Sequence, residues 1–221
     1  FQAERLTRAE YQKWMDSGFR RSGPVIYQPM CQGCRACAPL RVVLERLEIP
    51  KSQRRILRKN EDLQVRVAVP RPTNEKWELY ERYQREWHDG QQAGDLMGYV
   101  NFLYQSPVES IEFEYRHPCG KLLGVGICDV CPRSLSSMYF YFDPDERRRS
   151  LGTFSALYEM IWARQLHLPY WYAGFWVPGC EKMAYKTRFR PCEIMDTDGQ
   201  WRAYVPDAAE LAGSPSAVSV P

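Results

Sequence analysis

Two periodicities alternate along this chain. Leu40, Val42 and Leu44 recur at every second position, as do Leu63, Val65, Val67 and Val69, and each run predicts a half-buried strand. Helical spacing governs the stretches around them. Thr7 followed by Glu10 predicts a capping box opening a short helix through Trp14 and Met15, ended by Gly18. Val25 to Pro29 reads as a brief extended piece, and residues 52–60 as a short basic helix or turn. Pro70 and Pro72 break the pattern before Thr73 caps a helix to about His88. Trp77, Tyr80 and Trp87 line one side of that helix, a stripe better explained by core packing than by a cofactor box. Gly90 and Gly94 bracket a loop, and residues 95–105 predict another short helix.

The second half is patterned more sharply. Ile111, Phe113 and Tyr115 alternate, and residues 121–130 and 135–142 predict two further strands. Asp143-Pro144-Asp145 is a turn, and 151–166 a helix with Phe154, Leu157, Ile161 and Ala163 available to its inner side. Tyr170 to Val177 reads as a buried aromatic strand, followed by a short helix around 180–187 and a strand near Cys192 to Met195. This order is that of a mixed α/β sheet, an α+β arrangement of strands and helices. The division expected is an N-terminal half over 1–105, a C-terminal half over 106–206, and a disordered Ala-, Pro- and Ser-rich tail over 207–221.

Composition narrows the possible partners. Apolar residues make up 44% of the 221, enough for a core, and the net charge of +3 leaves any affinity for nucleic acid to local clusters. No run approaches the roughly 18 apolar residues of a membrane span. The opening Phe1-Gln2-Ala3-Glu4-Arg5 lacks a signal peptide's hydrophobic segment and an initiating Met, so part of a native start is expected to precede it. Eight cysteines at tight spacing, without a signal, point to a reducing cytoplasm.

Three of those cysteines, Cys31, Cys34 and Cys37, fall within seven residues, a spacing that can turn thiols toward one soft metal. Cys128 and Cys131 read instead as small apolar residues at a strand end. Arg147, Arg148 and Arg149 precede Ser150, Gly152 and Thr153 at a predicted helix start, where charge and unsatisfied amides together form a phosphate cradle. A solvated charge run is the alternative. Arg149-Ser150-Leu151-Gly152 also matches the start of the pyrophosphate loop of acetyl-CoA-dependent N-acyltransferases, but Phe154 stands where that loop has a second small residue. On the basic helix, Arg54 shares a face with Arg58 and Arg55 with Lys59, suited to phosphates, to a carboxylate or simply to water. No hydrolase-type triad is present, and His88, His117 and His167 sit in structural or exposed contexts. Asp129 at a strand end, with Tyr172, Lys182, Tyr185 and Lys186 around the aromatic strand, are the candidates for handling an amine.

Several stretches carry a resemblance in the same order along residues 10–202. They are Gly18 to Gly23, Cys31 to Val42, Ser52 to Arg55, Arg149 to Thr153, Leu168 to Trp176, and Lys182 to Pro191, with Ala173 and Phe175 as mild departures. In these the chain resembles the aminoacyl-tRNA–protein transferases of the N-degron pathway, its bacterial leucyl-transferring branch more than the eukaryotic arginyl branch. The resemblance implies a fold related to GNAT acyltransferases, in two GNAT-like halves. It implies transfer of leucine from Leu-tRNA to the α-amine of proteins beginning with Asp or Glu, by a monomer, with no cofactor required for the chemistry. Arginyl transfer and a CoA-dependent N-acyltransferase are the alternatives; a metal-stabilised nucleic-acid-binding module is a third. Under this reading Asp129, Tyr172, Tyr185 and Lys186 serve catalysis, and Arg147, Arg148, Arg149, Ser150, Gly152 and Thr153 hold the tRNA acceptor end. Arg20, Tyr27, Arg54 and Arg55 receive the acidic N-terminal side chain. Cys31, Cys34 and Cys37 are candidate ligands for zinc or an iron–sulfur cluster, with a further cysteine expected in a leader before Phe1.

Overall fold

A computed structural model describes residues 1–88 and 94–206. The loop expected at Gly90 and the tail expected over 207–221 lie outside the described residues. Ten strands are described: β1 Arg20–Ser22, β2 Val25–Tyr27, β3 Ala38–Val43, β4 Gln64–Ala68, β5 Ser110–Arg116, β6 Leu122–Cys131, β7 Ser134–Phe142, β8 Tyr170–Trp176, β9 Cys192–Met195 and β10 Trp201–Ala203. The helices are α1 Arg8–Asp16, α2 Lys51–Lys59, α3 Asn74–Trp87, α4 Leu96–Leu103 and α5 Leu151–Gln165. Eight strands form one mixed sheet in the order β10-β9-β3-β8-β7-β6-β5-β4, and β1 pairs with β2 in a separate ribbon. β3 lies between β8 and β9, so strands from before and after residue 105 share the sheet. Every pairing is antiparallel except β7 with β8, which α5 connects.

Local sequence explains the helices. Thr7 and Glu10 close a reciprocal capping box on α1, and Thr73 accepts from the Lys76 amide to start α3. Alternation along β7 sorts its rings between layers. Tyr139 and Tyr141 face Tyr80 of α3, whereas Phe140 meets Tyr115, which also meets Phe154 and Tyr158 of α5. On β6, a Cβ at Gly126 would stand 3.1 Å from a Glu159 carboxylate oxygen, so the missing side chain lets α5 approach. No described helix is long and apolar enough to cross a membrane.

Two expectations change. Leu44 opens a 3-10 turn, Leu44–Arg46, rather than ending β3, and β3 is buried on both faces rather than half-buried. Its polar Arg41 is covered because the guanidinium stacks 3.9 Å from the Tyr170 ring and 4.2 Å from Trp201 and pairs with Glu193 at 2.7 Å. β1 and β10, each three residues long, are too short for periodicity to reveal.

Candidate active site

The parallel pair β7–β8 comes apart. Ser134 pairs with Tyr170, Leu135 with Trp171 and Ser136 with Tyr172, and the pairing stops there. Just beyond, each strand has an irregularity on its other side. β7 shifts register against β6 around Met138, and β8 shifts against β3 around Ala173, followed by Gly174 at φ +79°. These bulges bend the strands at the same level, toward their carboxyl ends, where open α/β sheets bind ligands. The gap is a pocket of about 250 Å3, lined by Ser136 to Met138 on one wall and Ala173 to Phe175 on the other. Tyr11, Arg20, Arg21, Tyr27, Asp129, Met183 and Lys186 complete the lining, the last two from a 3-10 segment, Glu181–Arg188.

Charge in the pocket is unbalanced. Arg21 and Asp129, both buried, form a two-pronged pair at 2.6 and 2.7 Å, and Ser110 donates to the same carboxylate at 2.8 Å. That pair is neutral. Arg20, 5% exposed, has no acid partner among the described residues. One guanidinium nitrogen donates to the Met15 and Phe19 carbonyls at 3.3 and 2.6 Å, and Nε and the other terminal nitrogen are buried without a partner. The guanidinium lies 4.8 Å from the Tyr172 ring and 5.7 Å from Phe175. Burial draws its pKa down. Lys186 donates to the Phe175 carbonyl at 2.6 Å, and its pKa falls to about 8, through burial first and the Arg20 charge second. A Cβ at Gly174 would sit 3.8 Å from the Lys186 nitrogen. Arg20, buried, and Lys186, half-buried, both lack a counterion among the described residues, and this uncompensated positive charge suits an anion.

The structure therefore gathers some of the expected residues and not others. Arg20, Tyr27, Lys186 and Asp129 all line the pocket. Tyr172 lies beneath Arg20 with its ring, while its hydroxyl donates to Asp16 at 2.5 Å and accepts from Arg41 at 3.3 Å. Burial, with the Asp16 bond, pushes that phenol well up, and its O–H is turned away from Arg20. Both oxygens of Asp129 are engaged, which leaves it a structural counterion to Arg21. Tyr185 packs its ring edge-on against Phe189 outside the lining. Arg54 and Arg55 are exposed on α2 and do not reach the pocket; Arg54 donates to the Ile49 carbonyl at 2.8 Å. Sequence patterning missed Tyr11, Arg21, Ser136 and Met183, which reach the pocket only through tertiary packing.

The expected phosphate cradle is a loop and helix start. Asp143 caps a 3-10 turn over Pro144–Arg149, and Ser150, in the left-handed region at φ 55°, reverses the chain into α5 without a side-chain cap. The first amides of α5 are therefore uncapped, and nothing stands within 4 Å of a Cβ placed on Gly152. Arg148 is exposed without an acid partner among the described residues, and Arg147 lies 5.0 Å over the Trp87 ring. Arg149 differs: it is held by Asp62 at 2.9 and 3.0 Å and by Glu146 at 3.0 Å, so much of its charge is already answered.

Among the described residues the cysteine turn gathers no metal-binding cluster. Cys31 and Cys34 are exposed and joined by a backbone bond of 3.1 Å, and Cys37 is half-buried. Among the described residues no three His, Cys, Asp or Glu side chains are grouped to hold an ion. The short turn fixes the backbone but does not converge the thiols with a further donor. Cys128 and Cys131 are buried in β6, as their strand position implied.

Comparison with known proteins bears on both sites. The model for the N terminus of the arginine-tRNA-protein transferases matches residues 1–55, and that for their C terminus matches 75–196. An aspartate/glutamate leucyltransferase of Stutzerimonas stutzeri (strain A1501) is 41% identical over 187 residues, spanning 84% of this chain and 79% of its own. Its counterpart in Sphingomonas elodea is 41% identical over 210 residues, 91% of this chain and 80% of its own. Among solved structures, FemX superposes with a TM-score of 0.53 at 11% identity, over 80% of this chain and 63% of its own. L-PGS from Bacillus licheniformis gives 0.52 at 11% identity, over 77% of this chain and 59% of its own. These last two share the fold, that of the GNAT-like acyltransferases.

Proposed function

The chain belongs to the arginine-tRNA-protein transferase family, and we propose that it moves leucine from Leu-tRNA to the N-terminal α-amine of proteins beginning with Asp or Glu. The product is a protein marked for degradation. The observation that carries the acceptor side is the pair of cations in one pocket of about 250 Å3, buried Arg20 and half-buried Lys186, with no counterion among the described residues. Their anion is the Asp or Glu side chain of the acceptor. Leucine as donor rests on the names of the relatives, for no residue described here distinguishes an apolar from a cationic aminoacyl group.

The chemistry needs little more than placement. An aminoacyl ester is already activated, and holding two reactants together supplies much of the rate. The amine nitrogen bonds to the ester carbonyl carbon, the carbon–oxygen bond to the terminal ribose breaks, and that oxygen leaves as a hydroxyl. The proton it gains balances the one the amine loses. An α-ammonium ordinarily titrates near pH 8 (about 7.7–8.0). After one carboxylate has bound, Arg20 and Lys186 still leave a net positive charge, which favours the neutral, nucleophilic amine. The same charge rejects N-terminal Lys or Arg. Arg147, Arg148 and the open amides of Leu151 to Thr153 receive the phosphates of the tRNA acceptor end, with the Ser150 amide already held by the Arg147 carbonyl at 3.1 Å. No step is assigned to a metal. The enzyme acts as a monomer in the cytoplasm.

The decisive experiment offers labelled Leu-tRNA and Arg-tRNA to the purified chain with peptides beginning Asp, Glu, Lys and Ala. Label passing from Leu-tRNA to the Asp and Glu peptides alone is the expected result. Passage from Arg-tRNA would keep the mechanism and replace the donor, and labelling of all four peptides would remove the role given to Arg20 and Lys186.

A further inference from the structure

α2 is a helix whose charge no part of the fold uses. Its nine residues span about 13 Å. Lys51, Arg54, Arg55, Arg58 and Lys59 are all exposed, and none has a carboxylate partner among the described residues. Its apolar Ile56 and Leu57 turn inward onto the core, so the exposed face holds five cations and Ser52.

The anchoring of this helix gives the charge a direction. Near its start Gln53 donates to the Arg188 carbonyl at 3.0 Å, which ties α2 to the segment that carries Lys186. At its end Lys59 donates to the Arg148 carbonyl, and Asn60 to the Arg149 carbonyl at 2.9 Å. The helix thus bridges the acceptor pocket's wall and the loop that opens α5. Arg58 and Lys59 also line a shallow depression with Arg149, Glu61 and Asp62, the last already paired with Arg149.

We propose that the exposed face of α2 is the docking surface for the sugar–phosphate backbone of the donor tRNA, guiding its acceptor arm along the path from the α5 start to the acceptor pocket. The inference rests on charged tRNA being the donor. Charge complementarity selects this occupant: a row of arginines suits phosphates bidentately, and a protein partner would meet none of the exposed aromatic or apolar anchors that interface centres carry. Contacts of this kind fix register and affinity, not sequence, and they are salt-dependent.

The test compares the wild-type chain, the Arg55→Gln/Arg58→Gln double variant and Lys13→Gln, an exposed cation of α1. Binding of a tRNA transcript is followed by anisotropy across a salt series, and KM is measured for Leu-tRNA and for an Asp peptide. The double variant should melt as the wild type does. Its slope of log affinity against log salt should shrink by about one for each arginine removed. KM for Leu-tRNA should rise roughly tenfold while the peptide KM stays put. Lys13→Gln should change nothing. An unchanged slope in a variant of a wild type that does transfer leucine would overturn the docking face alone. A rise confined to the peptide KM would assign α2 to the acceptor protein, and tighter binding to phosphatidylserine vesicles than to tRNA would assign it to a membrane; either overturns the proposal. A wild type that neither binds tRNA nor transfers from it would remove the functional reading first and this inference with it.

Discussion

Under the proposed function specificity turns on Arg20, which is buried, and Lys186, which is half-buried, because neither meets an acid among the described residues. Arg20→Gln should lower kcat/KM for Asp and Glu peptides about thirtyfold, on the order of 2 kcal/mol for a lost charged hydrogen bond. Stability should change little, since no acid is stranded and the Gln amide can still donate to the Met15 or Phe19 carbonyl. A variant that melts well below the wild type would instead make Arg20 structural. Lys186 predicts a pH dependence. In the free enzyme its pKa, lowered to about 8, means that the cation is lost as pH rises through that value. kcat/KM for an Asp peptide, corrected for spontaneous ester hydrolysis, should fall above pH 8. Lys186→Arg, which stays charged, should lack that alkaline limb. Persistence of the limb in the arginine variant would place the titration elsewhere.

Among the elements, the proposed function gives donor binding to α5 and its approach. Gly152 occupies the first turn of α5 with open space where a Cβ would go. Gly152→Ala should therefore leave the fold intact or stabilise it by up to about 1 kcal/mol, because alanine costs less order in a helix. Its methyl would stand over the uncapped amides, so KM for Leu-tRNA should rise several-fold with the peptide KM unchanged. Equal values for both substrates in variant and wild type would mean that no phosphate approaches there. The elements themselves were largely legible in the sequence: α1, α3, α4 and α5 form close to where caps and spacing place them, and the stretch read as a helix or turn over 52–60 is the helix α2. The functional assignment of α2 was not legible. Arg54 and Arg55 can bind a carboxylate or a phosphate equally well, and their exposed position, away from the pocket, is what supports the phosphate role proposed for them.

For the molecule as a whole, β3 is the strand that holds the sheet together, paired to β8 on one side and β9 on the other. Leu40→Ala, at a fully buried position, should cost about 2–5 kcal/mol and lower the melting temperature. Because Leu40 pairs with Gly174 at the pocket wall, acceptor KM should worsen as well. A stability loss with unchanged acceptor KM would show that the β8 bulge keeps its shape independently of β3.

The sequence alone determined the helices, most strands, the mixed sheet and the family resemblance, because caps, turns and periodicities act between residues a few positions apart. It also marked Lys186, as an amine-handling candidate near the aromatic strand, and Arg20 and Tyr27, through what the family resemblance implies. Tertiary structure decided which charges remain unanswered. Arg21 meets Asp129 from 108 residues away, Arg149 meets Asp62 from 87, and Arg41 meets Glu193 from 152. Arg20 and Lys186 meet no acid at all among the described residues. Composition counts every arginine alike. Burial and pairing, which arise only when distant strands close on one another, separate those that stabilise the fold from those left to bind a substrate.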